Sequence, residues 1–204
     1  MNYLAHFHLA AVVARQGGYD DEALLVGALL GDYIKGPLRG DWPAEWEVGI
    51  RLHRRIDALT DGHPLVSECL AGFPSEFRRY GGIALDVCFD HFLLDRWSDH
   101  ALDNAPTAAQ FAGECYRVLG AKREHFPVAA QRQLAFLTEH NVLCILRDWT
   151  MAAQMLARIS RRLKRQNPLR DCAAVLDAQR PAIARCFDQL YPRLLEQLPQ
   201  EFAH

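Results

Sequence analysis

No stretch of this chain approaches the roughly 20 uninterrupted apolar residues of a membrane-spanning helix, so a membrane protein of that kind is not expected. Excess positive charge is also missing: the net charge is -2, which excludes a globally basic nucleic-acid binder. Its six cysteines (Cys69, Cys88, Cys115, Cys144, Cys172, Cys186) contain no Cys-x-x-Cys pair, which argues against a zinc-thiolate site. Scattered thiols of this kind read as reduced core fillers in a cytoplasmic protein. The start, Met1 to Leu9, has no basic segment and contains His6 and His8, so it does not read as a signal peptide. Strand-like alternation is absent, and no repeat of fixed period is visible. What remains is a 204-residue chain, half of it hydrophobic, with enough apolar mass for one sizeable core.

The apolar periodicity predicts helices almost throughout. A first runs over 2–14, and Gly17-Gly18 ends it. Asp20-Asp21 can cap a second, over 22–34. That helix is apolar until Asp32, an acid at the end the helix dipole disfavours, which suggests another role for it. A third is expected over 44–60, a fourth from Pro64 to Tyr80 with Asp61 as its cap, and a fifth over 82–97. After a polar connection over 99–106, further helices are expected over 107–120, 127–141, 145–165 and 169–197. The expected fold is therefore all-α: one domain of packed helices over 1–204, with the polar cluster confined to 1–98 and a helical cover over 107–200.

The chemistry is concentrated in the first half. His6, Asp32, His53, Asp57, Asp86, Asp90 and His91 all interrupt apolar helices. Buried carboxylates need partners, because an isolated charge in an apolar setting is very costly. His53/Asp57 and Asp86/Asp90 are each four apart, so each pair shares a helix face. Histidine with carboxylate suits manganese, magnesium, iron or zinc, and helical proteins build such sites from inward-facing pairs on separate helices. Ordinary readings exist beside this one. His53 and Asp57 can be an exposed ion pair, Asp86 can pair with an arginine, and His8 reads as a hydrogen-bonded core residue. The segment Arg158 to Arg170 carries six cations and no acid, either as a solvated face or as a dock for an acidic partner.

Four blocks resemble a known family: Met1-Asn-Tyr-Leu-Ala-His6-Phe-His8-Leu, Gly27-Ala-Leu-Leu-Gly-Asp32-Tyr-Ile-Lys-Gly36, Gly49-Ile-Arg-Leu-His53-Arg-Arg-Ile-Asp57-Ala-Leu-Thr-Asp61 and Leu85-Asp86-Val-Cys-Phe-Asp90-His91-Phe-Leu. In this order they are similar to the acyl carrier protein phosphodiesterases, a family distantly related to HD-domain phosphohydrolases. The family often has Asn where this chain has Ala28, and Asp90-His91 reverses the His-Asp order of the HD name. The resemblance implies an HD-like helical enzyme that hydrolyses the phosphodiester of holo-acyl carrier protein, releasing 4'-phosphopantetheine and the apo form. It implies a divalent cation, manganese before magnesium or iron.

Chemistry and blocks together suggest roles. Asp32, Asp86, Asp90 and His91 are expected to hold the metal or orient its water. His53 and Asp57 complete or brace that set, and His6 is a supporting or proton-donating candidate. Lys35, Arg51 and Arg54 are candidates for the phosphate oxygens. Arg158, Arg161, Arg162, Lys164 and Arg165 are the expected docking surface for the acidic carrier, with neither nucleic acid nor membrane as a partner. Two alternatives use the same residues: a metal-dependent phosphohydrolase of a nucleotide or other small phosphate, and a non-catalytic helical binding module.

Overall fold

A computed structural model describes residues 1–100 and 106–203. Part of the polar connection expected over 99–106 lies outside them, as does His204. Among the described residues the chain is all-helical, without strands. In order, the helices are α1 (Tyr3–Gly17), α2 (Asp21–Leu30), α3 (Ala44–Asp61), α4 (Pro64–Ala71), α5 (Ser75–Arg78), α6 (Gly81–Asp95), α7 (Trp97–His100), α8 (Ala108–Lys122), α9 (Val128–Glu139), α10 (Val142–Ile145), α11 (Thr150–Ser160) and α12 (Ala173–Glu201). None is long and apolar enough to cross a membrane.

Helix α1 lies at the centre, against α2, α3, α6 and α12. Almost every residue from Leu4 to Ala14 is buried, so the helix is apolar all round rather than on one stripe. Helix α2 starts as its sequence signals, with the Asp20 carboxylate accepting the Ala23 N–H at 2.9 Å. It then packs backbone to backbone on α3. A side chain at Gly27 would collide with the Trp46 carbonyl and with Gly49, and one at Gly49 would meet the Leu24 carbonyl. Those two glycines draw the two helices together, and so draw the end of α2 onto the middle of α3.

Several boundaries differ from the periodicity. Helix α2 stops at Leu30, and Asp32 stands in the turn beyond it. The helix expected from Pro64 to Tyr80 breaks after Ala71, because Pro74 disfavours a helical residue before it. Its cap is His63, whose Nδ1 accepts the Leu65 N–H at 3.1 Å, and not Asp61, which ends α3. Helix α11 ends at Ser160, so Arg161 to Arg165 lie in the turns that follow. The six cysteines are free thiols, five of them buried.

Helix α12 keeps its course through Pro181, Pro192 and Pro199, each of which removes a backbone donor. Packing compensates: Phe187 and Tyr191 stack with centroids 4.9 Å apart, and Phe187 meets Phe89 of α6. His8 is the packed residue its sequence suggests, with Nδ1 2.9 Å from the buried Tyr191 hydroxyl.

Candidate active site

Helix α3 supplies one side of the site. His53, Asp57 and Asp61 recur every four residues and so share a face. His53 is buried, and its Nδ1–H donates to the Ala28 carbonyl at 2.7 Å. That bond turns Nε2 inward, 3.2 Å from Asp57 and 3.5 Å from Asp32. The ring fits because residue 31 is glycine: a Cβ there would strike the imidazole. Arg54 holds the turn that carries Asp32, donating to the Ile34 and Gly36 carbonyls at 2.6 and 2.9 Å. Its guanidinium is thereby committed to backbone.

Helix α1 supplies His6. Its Nε2 lies 3.1 Å from Asp57, and its ring stacks on His53 with centroids 3.9 Å apart. Its Nδ1 is buried without a hydrogen-bond partner in the structure. The two rings cannot comfortably both carry charge. Burial, then the charge of His53, pushes His6 down to about 4. Burial also opposes charge on His53, but its hydrogen bonds to the Asp32 and Asp57 carboxylates outweigh it and raise that residue to about 9. Asp57 resists burial in turn and is held far below the usual carboxylate range by His53 and His6.

Helix α6 has a different task from the one its sequence suggests. Asp86 lies 2.8 Å from the Met1 ammonium, which also reaches Asp57 at 3.4 Å; among the described residues no arginine pairs with Asp86. Asp90, one turn further on, is 1% exposed and accepts the Leu4 and Ala5 N–H groups at 3.1 and 3.0 Å. Asn2 makes no side-chain capping bond, so Asp90 caps α1 from another helix. The acids of α6 thus grip the start of α1, where the helix dipole favours negative charge, and set the position of His6 one turn later.

His91 does not join this group. Neighbours on a helix point about 100° apart. Its Nδ1–H donates to the Leu146 carbonyl at 2.8 Å, and its Nε2 faces Arg180 at 3.3 Å beside Trp149. Both nitrogens are engaged away from Asp32, Asp57 and Asp86.

The site opens into a cleft of about 440 Å³. Asp32, Asp57, Asp61 and Asp86 line it, and so do Phe136, Met155, Arg158, Ile159 and Arg162. Burial and the nearby charge of Asp86 raise the Asp61 carboxyl. Asp61 and the two arginines are therefore cleft residues, although their sequence context suggests a helix cap and a docking face. The spacing of Asp61 from Asp57 is the signal that points to the cleft. Lys35 is exposed in a shallower hollow beside Asp32 and His53, and Arg51 lines neither space.

The donor set fits a divalent cation. Ligand atoms of His6, His53 and Asp57 lie within 4.8 Å of one another, and Asp32 adjoins them. These are nitrogen and oxygen donors, with no thiol in the cleft, as borderline to hard cations prefer. An outward-anchored Nδ1, as in His53, is the usual brace of a ligating histidine. The unpaired His6 nitrogen is a polar group that the protein alone leaves unsatisfied.

A family profile described as acyl carrier protein phosphodiesterase matches residues 1–194. Proteins named acyl carrier protein phosphodiesterase from Escherichia coli O6:H1, O45:K1 and O127:H6 are each 34% identical to this chain over 203 residues. In every case 97% of both chains is covered. No solved structure matches.

Proposed function

The chain belongs to the acyl carrier protein phosphodiesterase family, and from that premise we propose that it hydrolyses holo-acyl carrier protein in the cytoplasm, as part of fatty-acid metabolism. The products are 4'-phosphopantetheine and the apo carrier. Hydrolysis adds water across the bond between phosphorus and the carrier's serine oxygen: hydroxyl goes to phosphorus, a proton to the serine. The observation that carries this reading is the meeting of His6, His53 and Asp57, with Asp32 alongside, where Asp32 and Asp57 line a cleft that also contains arginine.

His53, Asp57, Asp32 and His6 would hold a divalent cation, with manganese our first choice and magnesium or iron the others; Asp86 lies within reach of the same carboxylate group. Such a cation supplies Lewis-acid charge to the phosphoryl oxygens and lowers the pKa of water. Asp57 orients both imidazoles at once. His6, kept neutral, presents a lone pair rather than a repelling charge. Asp90 contributes by fixing α1, and His91 has no part in the reaction. Arg161, Lys164 and Arg165, exposed beyond α11, form the surface that steers the acidic carrier toward the cleft.

The direct test is mass measurement of holo carrier protein after incubation with the protein and manganese. Loss of the phosphopantetheine arm is expected. An intact carrier beside turnover of a nucleotide panel would replace this reading with a small-phosphate hydrolase.

The His53 proton gives a second prediction. A cation must displace it, because Nδ1 is already committed. Manganese affinity should therefore rise by about tenfold per pH unit between pH 6 and 9, with about one proton released per ion bound. Titration calorimetry in buffers of differing ionisation enthalpy reads both quantities. His53→Gln should flatten the dependence; a flat profile in the unaltered protein removes His53 from the ligand set.

A further inference from the structure

Arg158, on α11, and Arg162, in the turn beyond it, both line the cleft. The cleft contains four carboxylates, yet among the described residues neither arginine forms an ion pair. Arg158 is half-buried, with its guanidinium carbon 3.7 Å from the centroid of the Phe136 ring. Arg162 approaches the same ring at 5.6 Å, and its one hydrogen bond is a long contact to Gln133 at 3.5 Å.

Stacking uses the face of a guanidinium and leaves the donors in its plane free. Arg158 is therefore held in direction but unspent in hydrogen bonding. Two such cations line the same cleft as four carboxylates without pairing to them, which leaves their positive charge available there. An anion fits there, and a cation held by the carboxylates would strengthen the fit. A phosphodiester has the matching form: one negative charge shared by two non-bridging oxygens, which a planar fork of N–H donors can meet.

We propose that Arg158 and Arg162 grip the phosphoryl oxygens of the substrate, with Phe136 as the shelf that aims Arg158. This rests on the phosphodiesterase reading for the identity of the substrate, but not for the binding of phosphate. It divides the basic run in two. Arg158 and Arg162 line the cleft, whereas Arg161, Lys164 and Arg165 do not and are left for protein docking. It also moves phosphate recognition away from Arg54, whose donors serve backbone carbonyls.

Calorimetric titration of the manganese-loaded protein with inorganic phosphate tests this separately from catalysis. Arg158→Ala and Arg162→Ala should each weaken binding by about tenfold, the scale of one charge-assisted contact. Arg161→Ala should change it less than about twofold, as an exposed charge outside the cleft. Arg158→Met keeps an apolar stem over Phe136, and it should show the same loss with an unchanged melting temperature. Phosphate affinity in the Arg158→Met and Arg162→Ala proteins equal to that of the unaltered protein overturns the proposal, as does an unaltered protein that binds no phosphate. If phosphate binding behaves as expected while holo carrier stays intact, the arginine assignment stands and the substrate reading falls.

Discussion

Asp57→Ala should leave a folded protein that no longer releases phosphopantetheine, with kcat/KM for holo carrier protein reduced by about 10³-fold or more. One carboxylate here serves His53 at 3.2 Å, His6 at 3.1 Å and the Met1 ammonium at 3.4 Å. Its removal deprives the proposed metal of a ligand and both imidazoles of their common partner. A cation's charge stabilisation is worth several kcal/mol, and each 1.36 kcal/mol is a factor of ten in rate. The fold should survive, because Asp57 is 39% exposed and Asp32 and Asp86 still face His53 and the ammonium. Helical circular dichroism and melting temperature should stay close to those of the unaltered protein while activity and manganese binding fall together. Full activity in this variant would remove Asp57 from the reaction.

Asp90→Ala should do the reverse, with its main effect on stability. Two buried N–H groups of the first turn of α1 lose their acceptor, and nothing on Asn2 replaces it. Each unsatisfied buried donor costs about 1–3 kcal/mol, so a loss of about 3 kcal/mol is expected. In a chain of this size that lowers the melting temperature by about 10 °C. Activity should fall as well, through His6, which α1 carries. Asp90→Asn keeps an acceptor oxygen and should be milder.

A pH signature separates the roles further. Burial raises the Asp90 carboxyl, against the pull of the Ala5 and Leu4 N–H groups, to about 7 from 3.8. The folded protein therefore binds one more proton than the unfolded chain between those values. Its stability falls as pH rises through that window, and Asp90→Asn removes this part of the slope. An Asp90→Ala protein with unchanged melting temperature would refute the capping role.

Much of this architecture is legible in the sequence. Apolar residues at helical spacing, with no strand alternation, determine the all-α fold, because the helical period is a local property of the chain. The His53/Asp57 pairing is legible for the same reason: four residues apart on a helix is a geometric neighbour relation. So is the oddity of Asp32, an acid at an unfavourable helix end, which proves to lean on His53.

The tertiary structure decides what each polar residue faces. Asp86, Asp90 and His91 read as one group, but packing assigns them to an ammonium, a helix start and a carbonyl with an arginine. Spacing specifies which residues share a face and leaves open which element lies opposite. Likewise Arg158 and Arg162 read as surface charge because a solvated face and a cleft wall have the same helical pattern. The chain alone thus determined the helices and the chemical inventory. Only the close approach of α2 to α3 at Gly27 and Gly49, and the capping of α1 by α6, brought Asp32, His53, Asp57 and His6 to one place. Those contacts join residues far apart in the chain, and no local period encodes them.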